Sequence, residues 1–365
     1  MPNDHFLRSV LANLGYWDGL VHPFRDPGYA ELEYEFPNIV RATEIGLTFP
    51  ATRAKAGVLV THCFDLVELG HLWDLWLPHL RRAIEVPEIE LGLKGQLINQ
   101  LGYFLMHRRD LEAASNAHRT AIALGEQVRD LMIIGDGWFG LANIGYHQHD
   151  YAQAVSFGEQ AADIFLELQK PKHLSNAYNV LGLLAHATGN YPIALNYFSQ
   201  AVDLRRQTES PLRLAMFLQN QAFTEQSTGQ NEAALVTLAE AETILQANHN
   251  PGQLVNLRLT LGAIHFAMGA YATAEEVFKK IDTGFLRRNN MRTWLAMVYN
   301  NLGNVYLKQG LRDEAETSLL QAAAHWRKTA EEIQLANTLG DLAEAQALQG
   351  RVKEAMPNYD EALIH

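Results

Sequence analysis

The chain has 365 residues, more than twice the roughly 150 of an average domain, so it folds either as two or three globules or as one elongated array. Its 29 Lys and Arg against 41 Asp and Glu give a formal net charge of −12, which argues against nucleic acid as main partner, because a phosphate-binding surface needs clustered cations. Hydrophobic residues at 48% with charged residues at 19% describe a folded chain with ample core; the single cysteine, Cys63, excludes an internal disulfide framework, and without a signal-like start or an 18-residue apolar run the expectation is a cytoplasmic protein off the membrane.

Residues 1–50 are expected to form a helical cap region, with one helix legible in the segment ELEYEFPNIVRATEIGLT. Residues 51–86 predict a degenerate first helix pair, with Gly70 at the turn and Ala83 one residue late for a small-residue position. Cys63 falls at that pair's other small position, as a packed thiol, and Trp73 and Trp76 are expected to staple the pair onto the rest of the array.

From residue 87 onward the chain repeats. Alanines recur at Ala114, Ala154, Ala194, Ala234, Ala274, Ala315 and Ala355, in steps of 40 with a single step of 41. Seven residues later stand Ala121, Ala161, Ala201, Ala241, Ile281, Ala322 and Ala362, two turns along the same helix face. Twelve residues before the first set stands another small residue: Gly102, Ala142, Gly182, Ala222, Gly262, Gly303 and Ala343. Between the two, Gly189, Gly229, Gly269, Gly310 and Gly350 mark a tight turn, so each unit reads as helix, left-handed turn, helix. Pro171, Pro211 and Pro251 hold one place in successive units and predict a first helical position, where the missing N–H costs nothing. The basic residues Arg287, Arg288 and Arg292 coincide with the longer step and predict a solvated linker.

This spacing resembles the tetratricopeptide repeat, closely so in NVLGLLAHATGNYPIALNYFSQAV and NNLGNVYLKQGLRDEAETSLLQAA, but with a period of 40 instead of 34. The resemblance implies an all-α fold: a right-handed superhelical solenoid of helix-turn-helix pairs, seven of them over residues 87–365, with the first helix of each pair lining a concave groove. A second resemblance, in Glu35, Asn38, Ile39, Ala42 and the segment LGHLWDLWLPHLRRAI, is to the junction where the repeat array starts in signal-transducing NTPases with numerous domains and their transcription-activator relatives. No Gly-x-x-x-x-Gly-Lys-Ser/Thr loop accompanies it, so nucleotide hydrolysis by that route is not expected.

On the groove helix, the residues three before the small position and one, four and five after it share a stripe. They are Asn99, Tyr103, Met106 and His107; Phe139, Asn143, Tyr146 and His147; Asn179, Leu183 and His186; Gln219, Phe223 and Gln226; Leu259, Ala263 and Phe266; and Asn300, Asn304, Leu307 and Lys308. Amides can pair with the backbone of an extended peptide whatever its sequence, while aromatic neighbours select side chains, so a mainly apolar or neutral peptide is expected. Asn at these places also has a structural reading within repeats of this kind. Alanine at Asn179 and Asn300 is therefore expected to weaken binding while sparing the thermal midpoint.

Three functional classes are compatible with these features: a non-enzymatic scaffold gripping a peptide or protein segment, a regulatory sensor akin to the signal-transducing NTPases and to peptide-sensing regulators, and a metal-dependent enzyme at His107, His147 and His149. The last is disfavoured, because His149 occupies the turn position that is glycine elsewhere and histidine tolerates that conformation. No cofactor and no metal are expected. Met356, Tyr359 and Leu363 face no further helix, which predicts a partner, a second copy or further chain over the final helix.

Overall fold

A computed structural model describes residues 3–22, 29–69, 72–208, 210–248, 250–329 and 331–364. Among these there is no strand, and the chain divides into two compact units, Met1–Thr224 and Glu225–His365. Each is an all-α array.

The first unit opens with α1 (Asp4–Val21), α2 (Tyr29–Gly46), α3 (Pro50–His62), α4 (Phe64–Leu69) and α5 (Trp73–Ile84). Asn3 caps α1 by accepting the Phe6 N–H at 2.9 Å, satisfying a donor the helix start would otherwise leave open. Leu14, Ile39, Leu59, Cys63, Leu66, Val67 and Trp76 form one fully buried core among these helices. Where a single helix was expected before the turn, there are two, α3 and α4, broken at Cys63. The break lets Leu66 and Val67 keep facing the core that Leu59 and Cys63 face, while Asp65 and Glu68, three residues apart, share the other side. Gly70, the expected turn residue, lies outside the described residues.

The pairs come next: α6 (Leu91–His107) with α7 (Leu111–Val128), α8 (Leu131–Gln148) with α9 (Tyr151–Glu167), and α10 (Pro171–Ala187) with α11 (Tyr191–Arg206), then α12 (Pro211–Ser227), within which the division between units falls. The alanine repeats explain the pairing: Ala114, Ala121, Ala154, Ala161, Ala194 and Ala201 are fully buried, as close helix approach requires. Every expected turn glycine, from Gly189 to Gly350, has a positive φ of 76–79°. Where glycine is missing, Arg109 (φ 64°) and His149 (φ 62°) take the same left-handed conformation. Pro171 and Pro251 open their helices as the sequence predicts.

The second unit contains α13 (Asn231–Ala247), α14 (Pro251–Ala267), α15 (Tyr271–Lys279), α16 (Thr283–Arg288), α17 (Arg292–Gln309), α18 (Arg312–Thr329), α19 (Glu332–Leu348) and α20 (Val352–Ile364). The expected linker around Arg287 is instead a helix. Ile281 replaces the second alanine and is itself buried, the long second helix stops, and Asp282 caps a new turn by accepting the Phe285 N–H at 2.9 Å. Leu286 then inserts into the core of the unit, leaving Arg287 and Arg288 on the surface.

Candidate functional site

Within the first unit, α6 packs directly on α8 and α8 on α10, while Asn220 on α12 donates to the Asn179 amide oxygen on α10 at 2.9 Å. The first helices therefore form one wall, and the predicted stripe runs along it. Tyr103, Phe139, Asn143, Tyr146, Leu183, His186 and Gln219 are partly exposed there, and His107, His147 and Phe223 are exposed, Phe223 at 53%. Phe223 packs against the His186 imidazole with ring centres 4.8 Å apart, and His186 Nδ1 lies 3.0 Å from the Thr224 hydroxyl. His107 stacks on Trp73 at 5.2 Å.

Met106, Asn99 and Asn179, all members of the stripe, sit inside the wall, Met106 as a packed apolar side chain. Asn99 is 7% exposed; its amide N–H donates to the Ile133 carbonyl at 2.9 Å and its oxygen lies 3.0 Å from His118 Nδ1. The His118 ring fills the space beside Gly102 and Gly140, so closely that a Cβ at Gly140 would lie 2.3 Å from it. Burial holds this imidazole neutral, its pKa pulled down to about 4. Asn179 is 5% exposed and carries the bond to Asn220. Both amides join one repeat to the next, so the expectation that alanine at Asn179 spares the thermal midpoint does not hold: removing a buried, bonded amide costs stability.

The amides and aromatics of the stripe are not the whole of the wall. The stripe continues one to two turns toward the helix starts, and there it carries charge: Asp136, three residues before Phe139; Lys172, four before Asn176; and Arg213, six before Gln219. The same i, i+3, i+4 spacing, carried further back, would have found them. Facing them is α4. Lys172 Nζ lies 2.9 Å from Asp65 Oδ2. Arg213 donates to one carboxylate oxygen of Glu68, and the Tyr103 hydroxyl donates to the other. The side chains of Arg213 and Glu68 are 25% and 10% exposed. Burial alone would pull the Arg213 guanidinium down, but Glu68 and Tyr103 outweigh it and hold the charge firmly. Burial, and then Glu68, push the Tyr103 hydroxyl up, so it stays a donor.

Behind Lys172 lies a stiff support. Arg205 is fully buried, donates to the Lys172 carbonyl at 3.1 Å and to the Asn176 side chain, and lies over the Phe217 ring at 5.1 Å. His173 packs on Phe165 at 5.3 Å, and burial pulls its pKa to about 4. Asp136 is partly buried near Lys172. Burial, with Asp130 nearby, pushes its carboxyl up to about 7, and Lys172 opposes the rise.

The remaining predicted residues lie in the second unit. Gln226 is partly exposed; Phe266 packs at a tilt against Tyr271, ring centres 5.4 Å apart. Asn300 accepts from the Thr338 hydroxyl at 2.8 Å, Asn304 bonds to Asp341, and Lys308 is exposed. As for the histidine chemistry, His149 Nδ1 lies 2.7 Å from the Tyr151 hydroxyl, and no group of three or more His, Cys, Asp or Glu among the described residues is arranged to hold a metal. Cys63 is fully buried, which pushes its thiol up and makes it inert. No helix among the described residues is long and apolar enough to cross a membrane.

A tetratricopeptide repeat model matches residues 135–207 and 294–363. No curated protein matches the sequence. Among solved structures, the chain is similar to a signal-transduction ATPase with numerous domains and a tetratricopeptide repeat sensor from Pyrococcus horikoshii, at 15% identity and a TM-score of 0.71; the similarity covers 89% of this chain and 51% of that one. It is similar to the apo form of the quorum sensor NprR from B. thuringiensis at 14% identity and a TM-score of 0.59, over 98% of both chains. A Rap protein complexed with competence and sporulation factor is similar at 16% identity and a TM-score of 0.57, covering 96% of this chain and 99% of that one. At these identities the likeness is one of fold, and it agrees with the buried alanines, the left-handed turns and the paired helices. The tetratricopeptide repeat is thus matched directly over residues 135–207 and 294–363, and the rest of the chain is similar to such arrays in fold.

Proposed function

We propose that the chain is a non-enzymatic binding module that takes a peptide or protein segment along the wall formed by α6, α8, α10 and α12. The observation that carries this reading is the division of labour on the wall. Asn99 and Asn179 are buried and bonded, whereas Phe223 is 53% exposed beside His186, and Asn143 makes its one bond to the Phe139 carbonyl at 2.9 Å in its own helix. An exposed aromatic ledge beside an amide with unused bonding capacity is what an extended peptide needs: apolar area for side chains and donors and acceptors for backbone. The solved relatives give support of a weaker kind, since one is described as a quorum sensor and another is in complex with a competence and sporulation factor.

A sensor, in which ligand binding changes the array and an effector reads the change, is the second reading. The ion pairs from α4 to α10 and α12 favour it, because they are contacts a bound ligand would disturb. To test the first reading, purified chain is screened against a peptide array, and the best peptide is titrated into the parent, Phe223→Ala and Asn143→Ala. Each substitution should weaken binding about tenfold, the worth of one good contact, with the melting temperature unchanged. Affinity unaffected by both would overturn the assignment of this wall.

A further inference from the structure

The ion pairs of α4 are unusual for a repeat array. In a solenoid each repeat touches its neighbours and little else. Here Asp65 and Lys172 are 107 residues apart, and Glu68 and Arg213 are 145 apart. Packing of the repeats does not require either contact. The apolar side of α4, Leu66 and Val67, is fixed in the core it shares with α2, α3 and α5, so its acidic side is held in place against the wall. On the opposite side, Lys172 stands on the platform made by buried Arg205, and the Arg213 and Tyr103 donors converge on one carboxylate. Two cations and a hydroxyl, pre-positioned and partly shielded from water, are an anion-binding arrangement, because charge-assisted bonds gain strength when their donors need no reorganisation.

We propose that Lys172, Arg213 and Tyr103 form a carboxylate-binding subsite of the peptide wall, that the acidic face of α4 fills it in the unliganded chain, and that the ligand is an acidic segment with two carboxylates about one helical turn apart, which enters by replacing Asp65 and Glu68. The proposal rests on the wall being the ligand surface. It adds the ligand's charge and the chain's own competitor for the site. On a chain of net charge −12, an acidic segment is repelled from most of the surface, so these cations decide where it docks. Displacing Glu68 leaves a shielded carboxylate without its cation, so only a ligand that engages both cations makes the exchange favourable.

The test uses the full chain and fluorescein-labelled hexaglutamate, with hexaglutamine as the uncharged control. Removing the competitor with Asp65→Asn and Glu68→Gln together should tighten hexaglutamate binding about tenfold, in the range measured for close charge pairs, and leave hexaglutamine binding unchanged. Adding Lys172→Met and Arg213→Met to that variant should abolish the gain. If the double variant melts early, Asp65→Asn alone, at the more exposed pair, should still tighten binding about threefold. Unchanged affinity in both Asp65→Asn and the double variant, or a gain that survives loss of Lys172 and Arg213, overturns the proposal. Peptides captured on the array without any such gain would remove the acidic competitor and leave the wall as a binding surface. No capture of any peptide by the parent or any variant would remove both.

Discussion

The two units use polar side chains differently. In the second, long-range bonds run from one repeat to the next: Gln309 to Glu275 at 3.0 Å, Gln346 to Glu316 at 3.0 Å, Arg327 to Glu361 at 2.8 Å. The first unit has such neighbour bonds too, through Asn99 and Asn179, but adds two that skip repeats, Lys172 to Asp65 and Arg213 to Glu68. Neighbour bonds make an array whose stability is a sum of local terms, whereas bonds that skip repeats tie distant helices into one equilibrium. A change at α4 should therefore be felt at α12, while a change in α14 of the second unit should stay local.

The contrast can be broken or sharpened in four ways. The largest effect is expected for Gly140→Ala, whose methyl would lie 2.3 Å from the His118 ring, between helices that cannot separate without opening the first unit. A loss of about 3 kcal/mol or more in that unit is expected, as for other overpacked cores, read as a shift of the corresponding denaturation transition. Next, Arg213→Met removes the cation from a shielded carboxylate and should cost about 2 kcal/mol, less than for a fully buried pair because both groups keep some water. Hydrogen exchange should then quicken in α4 as well as α12. By contrast, Arg351→Met, at a guanidinium 38% exposed and shared between Glu316 and Glu354 in the second unit, should leave exchange outside its own pair of repeats unchanged.

Asp136 gives a pH-dependent effect. Its carboxyl rises from an ordinary 3.8 to about 7 on folding, so between these values the folded state keeps a proton that the unfolded state has lost. Stability from this group is present below about pH 4 and falls as pH rises toward 7. Asp136→Asn should therefore stabilise the first unit by about 2 kcal/mol at pH 8, roughly half the full shift because the side chain touches solvent, and have no effect at pH 4. His118 acts in the opposite sense: depressed from 6.5 to about 4, it removes stability as pH falls across that window. The parent's pH profile should thus be flatter than that of the Asp136 variant. Smallest is Asn179→Ala, for which the lost bond to Asn220 should cost about 1 kcal/mol, seen as a lower denaturation midpoint.

Much of the fold could be read directly from residue spacing. Buried alanines at a 40-residue period and left-handed turns at Gly189, Gly229, Gly269, Gly310 and Gly350 follow from rules that act within one helix pair. The breaks at Cys63 and Ile281 were less visible, because a helix stop is decided by which side chains the core accepts, as with Leu66 and Leu286. The candidate wall was legible as a stripe but not in its chemistry. Nothing in the spacing says that Asn99 will turn inward to His118. The link from Arg213 to Glu68 depends on how the repeats curve over 145 residues, and local pattern holds no record of that.

The most direct test is hydrogen exchange of the full chain with and without a saturating array-selected peptide. Slower exchange concentrated on α6, α8, α10 and α12 is predicted, with α7, α9 and α11 unaffected. Protection confined to those second helices, or absent everywhere at saturation, would contradict a wall that works by binding.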